Sequence, residues 1–413
     1  LALDESGMTK PKALVFATQL PFPARRNGVS IRYASILRRL RESYDVHLVL
    51  ALDHDVSAAD VDEGREQVNQ LHVFRRKRAS ISLARRLLTR ASCSLPGSTP
   101  YPLFAYDADA VADFLRQHAM SEEYDLVLVV TSDFLEVVQS SVKYKRFVVD
   151  AIDSVAMAFG RSDSRSFLKR FDSFRLRRWE RRMAQSVDYW NYVSPADLQH
   201  VFGTSVDAKR IGVIPNGIFL DDFESPSEPV LAAPVIGFLG NMAYPPNISA
   251  VQFLFRVFER VRTRVPDAKL LIIGRTPVPE IEAMSATPGV HITGTVDSIW
   301  PYVHSTTLFA FPMLEGAGQQ NKVLEAMAAA VPVITTAVGC AGIGTPDAQW
   351  IRIAETEDAF VSTILELLAN PAEMTRVGLA GKAFVESHYS WDQIMKLIDE
   401  RFLGHRSDLG STA

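Results

Sequence analysis

Lys322 and Glu325 stand three residues apart in the run "GAGQQNKVLEAMAAAVPVITT" (316–336). Side chains at that spacing share one face of a helix, so an ammonium and a carboxylate would point the same way. Gly316 and Gly318 let a ligand approach the backbone closely, and Gln319, Gln320 and Asn321 place amides at the mouth of an alanine-rich helix. The unpaired N–H groups of a helix start carry partial positive charge and bind anions. A lysine in the first turn opposes that charge; an anion above the mouth reverses the penalty. The chemistry expected is a phosphate or diphosphate on the loop and Lys322, with Glu325 accepting hydrogen bonds from vicinal hydroxyls of a ribose or sugar. A solvent-exposed Lys–Glu pair on a plain helix is the alternative.

The elements around this loop follow from the apolar pattern. Short β-branched runs alternate with longer amphipathic stretches, which predicts parallel sheets covered by helices on both faces. Strands are expected at 13–18, 46–51, 126–130, 147–150 and 190–194, and again at 234–240, 268–274, 290–294, 307–312 and 332–336. Between the two sets lies "IPNGIFLDDFESPSEPVLAAP", rich in turn residues. With 413 residues, two doubly wound α/β domains with a crevice between them are expected, ligands binding at the carboxyl ends of the strands. The loop at 316–318 then joins the strand at 307–312 to a helix starting near Gln320.

Composition narrows the class. Apolar residues make up 47% and charged residues 22%, ordinary globular values. The net charge of −4 is uneven: 75–90 holds seven basic residues and no acid, and 161–182 carries a net +6. Cys93 and Cys340 are the two cysteines, too few for a metal framework, and a reducing cytosol is expected. No apolar run reaches the roughly 20 residues of a membrane span, and the first residues have neither the basic nor the apolar region of a signal peptide.

These residues resemble the retaining nucleotide-sugar glycosyltransferases of the GT-B fold, family 4, in the branch of sugar transferases associated with bacterial exopolysaccharide clusters. "NKVLEAMAAAVPVITT" looks like that family's Glu-Ala-Met-Ala helix and Pro-Val-Ile strand, and "VIPNGIFLDDF" (213–223) its Pro-Asn-Gly hinge segment. "FLGNMAYPPNISAVQFL" (238–254) and "ITGTVDSIWPYV" (292–303) carry the branch likeness. The resemblance implies two Rossmann-like domains facing a central cleft: 8–210 on the acceptor side, 211–388 on the nucleotide-sugar side, and a C-terminal helix in 389–413 crossing back to the first. It implies a cytoplasmic enzyme that transfers a sugar to an acceptor hydroxyl with retention, without metal or other cofactor, its donor a nucleotide diphosphate sugar. The glycine loop and Lys322 would hold the diphosphate and Glu325 the ribose. Thr295 and Val296, in "TGTV", would read the base. A 2-epimerase on the same fold and a non-catalytic nucleotide-sugar-binding protein are the rivals.

The departures from the family pattern are specific. Its pair of acids lies eight positions apart, yet eight before Glu325 stands Ala317; the available acid is Glu315. Its Arg…Lys pair after the first strand of the second domain is missing, and "GNMAYPPN" offers Gly240, Asn241, Tyr244 and Asn247 instead, so neutralisation of the diphosphate falls on Lys322. Where many members place a histidine facing the sugar, "VVDAIDSVA" has Asp150 and Asp153. Asp153 either stabilises positive charge at the anomeric carbon or caps the next helix. In "PFPARRNGVSIRY" (21–33), the Asn27-Gly28 turn is expected to face the donor, with Ser30 as helix cap. Arg25, Arg26 and Arg32 either meet a diphosphate or anionic acceptor or are simply solvated.

Other patterns exclude more than they suggest. Asp53/Asp55 and Asp107/Asp109 imitate a metal-binding pair but read as turn and helix-start residues. The nine histidines lack zinc spacing, and no P-loop or nucleophile-elbow motif occurs. The stretches 74–90 and 165–183 mix arginine with Phe, Leu and Trp, which suits a helix on an anionic membrane or a solvated face. No motif for nucleic acid accompanies the charge.

Overall fold

The computed structural model describes residues 9–22, 28–76, 90, 92–93, 98–104, 108–119, 122–161, 167–204, 206–220, 231, 234–315 and 318–404. The chain divides into two compact units, residues 1–215 with 395–413, and residues 216–394. Each is built on one parallel sheet.

In the first unit the strands are β1 (Lys12–Ala17), β2 (Asp45–Leu52), β3 (Gln70–Arg75), β4 (Glu123–Val130), β5 (Lys143–Ile152), β6 (Tyr189–Tyr192) and β7 (Ile211–Val213), in the order β3-β2-β1-β4-β5-β6-β7. All pairings are parallel. Runs such as "DVHLVLAL" are buried at every position, because helices cover both faces of the sheet. The second unit holds β8 (Val235–Leu239), β9 (Lys269–Ile273), β10 (Val290–Ile292), β11 (Leu308–Phe311), β12 (Val333–Thr335) and β13 (Arg352–Ile353), in the order β10-β9-β8-β11-β12-β13. These strands are parallel too. In both sheets the chain winds outward first one way and then the other, so the order reverses between β1 and β4, and between β8 and β11.

Three local expectations are corrected in the first unit. Arg32 is neither solvated nor available to a ligand. It is fully buried, its Nε 2.7 Å and Nη2 3.1 Å from the Asp150 carboxylate, and its Nη1 donates to the Pro215 carbonyl at 2.8 Å. Asn191 adds a 2.7 Å bond to the same carboxylate, so Asp150 is a structural partner at the end of β5. Ser30 lies inside the helix Gly28–Ser43 instead of capping it. The cap before the helix Val155–Arg161 is Ser154, whose Oγ accepts the Met157 N–H at 3.1 Å; Asp153 beside it is exposed.

Ser154 is itself anchored. Its N–H donates to Asp197 and its hydroxyl to Glu180, a buried acid that also accepts from the backbone of Val155 and Ala156 and from the Tyr192 hydroxyl. Burial pushes the Glu180 carboxyl up to about 7 against those four donors. The residues after Met395 close the same unit: Asp399 accepts from the Arg39 guanidinium, and Arg146 donates to the Arg401 and Phe402 carbonyls.

Candidate functional site

At the switch point of the second sheet, side chains from both flanking helices meet. Lys322 belongs to the helix Asn321–Ala328 after β11, and Asn247 to the helix Pro245–Arg262 after β8. The Lys322 ammonium donates to Asn247 Oδ1 at 2.5 Å. The amide is held in turn, since Asn247 Nδ2 donates to the Asn241 carbonyl at 2.9 Å, leaving Oδ1 for the lysine.

Glycines make room for this contact. A Cβ on Gly240 would lie 2.7 Å from Asn247 Nδ2, and one on Gly274 would lie 1.7 Å from the Gly240 carbonyl oxygen. Gly274 has φ +152, a conformation that only glycine holds without strain. Aromatic rings line the lysine's other side, with Nζ 5.2 Å from the Phe238 centroid and 6.0 Å from that of Phe311. Such contacts stabilise a desolvated cation by about 0.5–2 kcal/mol. Among the described residues Lys322 forms no ion pair, and the field of Glu325 favours its charged form. Burial therefore dominates and pushes the ammonium down to about 8.

The loop ahead of the helix is braced from below. Gly318 takes φ +66, and its carbonyl would be 2.2 Å from a Cβ on Gly342. Gln319 spends its amide on the Pro-Asn-Gly segment, accepting the Asn216 N–H at 2.7 Å and donating to the Asn216 carbonyl at 2.9 Å. Among the described residues no side-chain cap hydrogen bond is made at Gln320. Among the same residues Asn321 Oδ1 is buried without a hydrogen-bond partner, and rotating the amide would present Nδ2 as a donor.

The other predicted residues fall around the same end of the sheet. Gly240 and Asn241 follow β8, with Asn241 Oδ1 accepting the Ala243 N–H, and Tyr244 is half exposed. Thr295, exposed, and Val296, half-buried, follow β10. That end is tied to β9 by the Thr293 hydroxyl, which accepts the Gly274 N–H. Glu325 is half-buried one turn into its helix and Glu315 is exposed in the loop; Gly316 lies outside the described residues, as do Asn27 and Asp107. In the first unit Gly28 opens the helix Gly28–Ser43. The aspartate pairs fit ordinary roles: Asp55 accepts from Arg75, and Asp109 stands in the first turn of the helix Ala108–His118. No cluster of three or more metal-ligating residues occurs among the described residues. The sequence reading overlooked Phe238, Phe311, Gly274 and Gly342; the glycine after β9, in "LLIIGR", repeats the pattern of "GFLG" after β8 and was the available signal.

Residues 233–370 match the family described as Glycosyl transferases group 1. A Klebsiella pneumoniae relative, an uncharacterized 44.6 kDa protein in the cps region, is 26% identical over 170 residues, 39% of this chain and 44% of that protein. The GDP-mannose-dependent alpha-(1-6)-phosphatidylinositol monomannoside mannosyltransferase of Mycolicibacterium smegmatis is 28% identical over 153 residues, 33% of this chain and 40% of that enzyme. The chain thus spans less than half the length of these relatives. Among solved structures, Anabaena HepE in complex with UDP superimposes with a TM-score of 0.67 at 14% identity, over 95% of this chain and 100% of that one. Sucrose-phosphate synthase from Thermosynechococcus elongatus gives 0.64 at 15% identity, over the same shares. Residues 233–370 carry a glycosyl transferases group 1 match on a chain with the two-sheet GT-B fold of those structures.

Proposed function

We propose that the protein is a retaining glycosyltransferase of family 4 that moves a sugar from a nucleotide diphosphate sugar to an acceptor hydroxyl, without metal. The observation that carries this reading is Lys322, a largely buried ammonium held by an amide and two rings. A buried cation without a counter-charge is costly, and a diphosphate at the switch point relieves that cost. The uncapped helix start and the Asn321 amide supply further donors, and Glu325 is placed for a ribose. The UDP complex of a structural neighbour and the sugar transferase among the relatives support the same assignment.

In the transfer, the acceptor oxygen bonds to the anomeric carbon as its bond to the diphosphate breaks, and the acceptor proton passes to the departing phosphate on the same face. The chain's part is stabilisation of the leaving charge by Lys322 and the helix mouth. Glu315 and Asp153 are candidates for contacts to the sugar. A role in polysaccharide or glycoconjugate biosynthesis follows from the family resemblance of the sequence.

Thermal unfolding with UDP, GDP, ADP and TDP, each with Mg²⁺ or EDTA, tests the donor assignment on wild type and Lys322→Ala. Ligand at 100 times its Kd adds about 2.7 kcal/mol. One nucleotide is expected to stabilise the wild type in EDTA, and the variant to lose most of that shift. No shift with any nucleotide would overturn the donor reading.

A membrane role has its own support. On the helix Phe167–Gln185, Leu168, Phe171 and Phe174 are exposed by 56%, 38% and 54%, on the side that also carries Arg170, Arg178 and Arg181. An apolar stripe edged by arginine suits an anionic bilayer surface; most of 74–90 lies outside the described residues. Co-sedimentation with phosphatidylglycerol vesicles should fall when Phe171 and Phe174 become serine, and equal pelleting of the variant would refute it.

A further inference from the structure

At the edge of the first sheet four aromatic rings form one patch. His72 and Phe74 stand on β3, two positions apart and therefore on one face. Phe114 and His118 stand one turn apart on the helix Ala108–His118, whose last residue lies near the start of β4. The patch thus sits on the side of the first unit away from the carboxyl ends of its strands. Phe114 is the hub. Its ring stacks on His118 at 4.2 Å and meets His72 edge-on at 6.3 Å and Phe74 at 5.0 Å, centroid to centroid. Phe74 and Phe114 pack in turn on the buried core of the sheet. The two imidazole centroids are 5.0 Å apart.

Four phenyl rings in this arrangement would be packing alone, but two of these rings carry nitrogens. His118 Nδ1 donates to the Phe114 carbonyl at 2.8 Å. That bond places the ring proton on Nδ1 and leaves a lone pair on Nε2. Among the described residues His118 Nε2 has no hydrogen-bond partner, and neither nitrogen of His72 has one. His118 is exposed and His72 half-buried, so solvent reaches the pair. An imidazole whose Nδ1–H is held by a backbone carbonyl is the usual form of a metal-ligating histidine. An ion about 2.0–2.1 Å from one nitrogen of each ring lies about 3.2 Å from each centroid, so the 5.0 Å separation subtends about 100° at the metal, close to tetrahedral.

Ligand chemistry selects the ion. Imidazole suits zinc, nickel and copper, whereas magnesium and calcium prefer oxygen. We infer that His72 and His118 form a two-imidazole site for a divalent transition-metal ion, water filling its other positions, which clasps the edge strand β3 to the helix Ala108–His118. β3 has Gln70, Val73 and Arg75 exposed and only one neighbouring strand, and a free sheet edge is a liability that an anchored cover reduces. Strand and helix contribute one ligand each, so no spacing motif in the sequence announces the pair. The site is separate from the sugar transfer and does not rest on the donor reading.

Calorimetric titration of the metal-free full chain with zinc, nickel and magnesium chlorides tests it, on wild type, His72→Gln and His118→Gln, with His388→Gln in the second unit as control. Removing a group that merely orients a metal ligand weakens affinity about 10–100-fold, so losing a ligand itself should weaken zinc and nickel by at least about tenfold in either variant. Magnesium should not bind, and the control should match wild type. Electron paramagnetic resonance of the wild type with copper(II) counts nitrogen donors without any substitution, and two are expected. Nucleotide shifts measured in EDTA should be the same in both variants as in wild type, which shows that they fold. No binding of zinc or nickel, affinity unchanged in either variant, equal binding of magnesium, or a single coordinated nitrogen overturns the inference.

Discussion

Arg32 and Lys322 are both removed from water, one in each unit, and they are held in opposite ways. Arg32 is fully buried and faces a carboxylate that it meets with two nitrogens, plus the Pro215 carbonyl. Among the described residues Lys322 meets the Asn247 amide and the faces of Phe238 and Phe311, with Glu325 acting through its field. The first arrangement is complete and leaves nothing for a ligand. The second is short of one negative charge, and it stands at a crevice lined by glycines, where a bulky anion can come close to the backbone. A buried cation therefore reads as structure or as site according to what already neutralises it.

The largest effect should come from breaking the complete pair. Asp150→Asn leaves Arg32 buried without its counter-charge, and removing one member of such a pair costs about 3–5 kcal/mol. The urea midpoint should fall accordingly, and a loss below about 1 kcal/mol would mean that Asp150 is not what holds Arg32.

Lys322→Met should behave in the reverse sense. It removes a desolvated ammonium and keeps most of the packing on the two rings, so the nucleotide-free variant should match or exceed wild type near pH 7. The pH dependence separates the two cations further. Lys322 is lowered from 10.5 to about 8 in the folded chain, so between those values the unfolded chain binds more protons and wild-type stability rises with pH. The full rise is about 3 kcal/mol, and it should be absent in Lys322→Met. Nucleotide affinity must run the other way and fall above pH 8, because the diphosphate needs the protonated amine. Stability that stays flat from pH 8 to 10 in the wild type would show that burial does not depress this lysine.

Most of this architecture was legible in the sequence because both sheets are buried on two faces, and their strands read as unbroken apolar runs. The strands that escaped notice are the marginal ones. β3 lies at the sheet edge with Gln70, Val73 and Arg75 exposed, so its pattern is too polar to stand out; β7 and β13 have only three and two residues. The loop and the Lys322–Glu325 spacing were local and therefore visible. What stayed hidden depends on distant pairs. Asn247 meets Lys322 across 75 positions and Arg32 meets Asp150 across 118, which is why Arg32 looked like one more basic residue of a polar loop.

Asn247→Asp gives Lys322 the carboxylate that Arg32 already has. The pair should raise the lysine's pKa and leave the nucleotide-free chain at least as stable as wild type. It also places a negative charge where the diphosphate must sit, so nucleotide affinity should fall by more than about tenfold. If titration calorimetry finds affinity preserved, the diphosphate does not occupy the switch point beside Lys322.

The smallest effect is expected at Glu325, which touches the comparison only through its field on the lysine. In Glu325→Gln the carbonyl of the amide still accepts from a ribose hydroxyl, but without charge, and the difference amounts to about 1 kcal/mol, or roughly fivefold. Inorganic diphosphate lacks the ribose and should bind the variant about as well as wild type, with a small loss or gain from the altered field. Comparing nucleoside diphosphate with diphosphate alone therefore isolates the sugar contact. Equal weakening of both ligands would assign Glu325 to the electrostatics of Lys322, and the hydroxyl-binding role would pass to another residue.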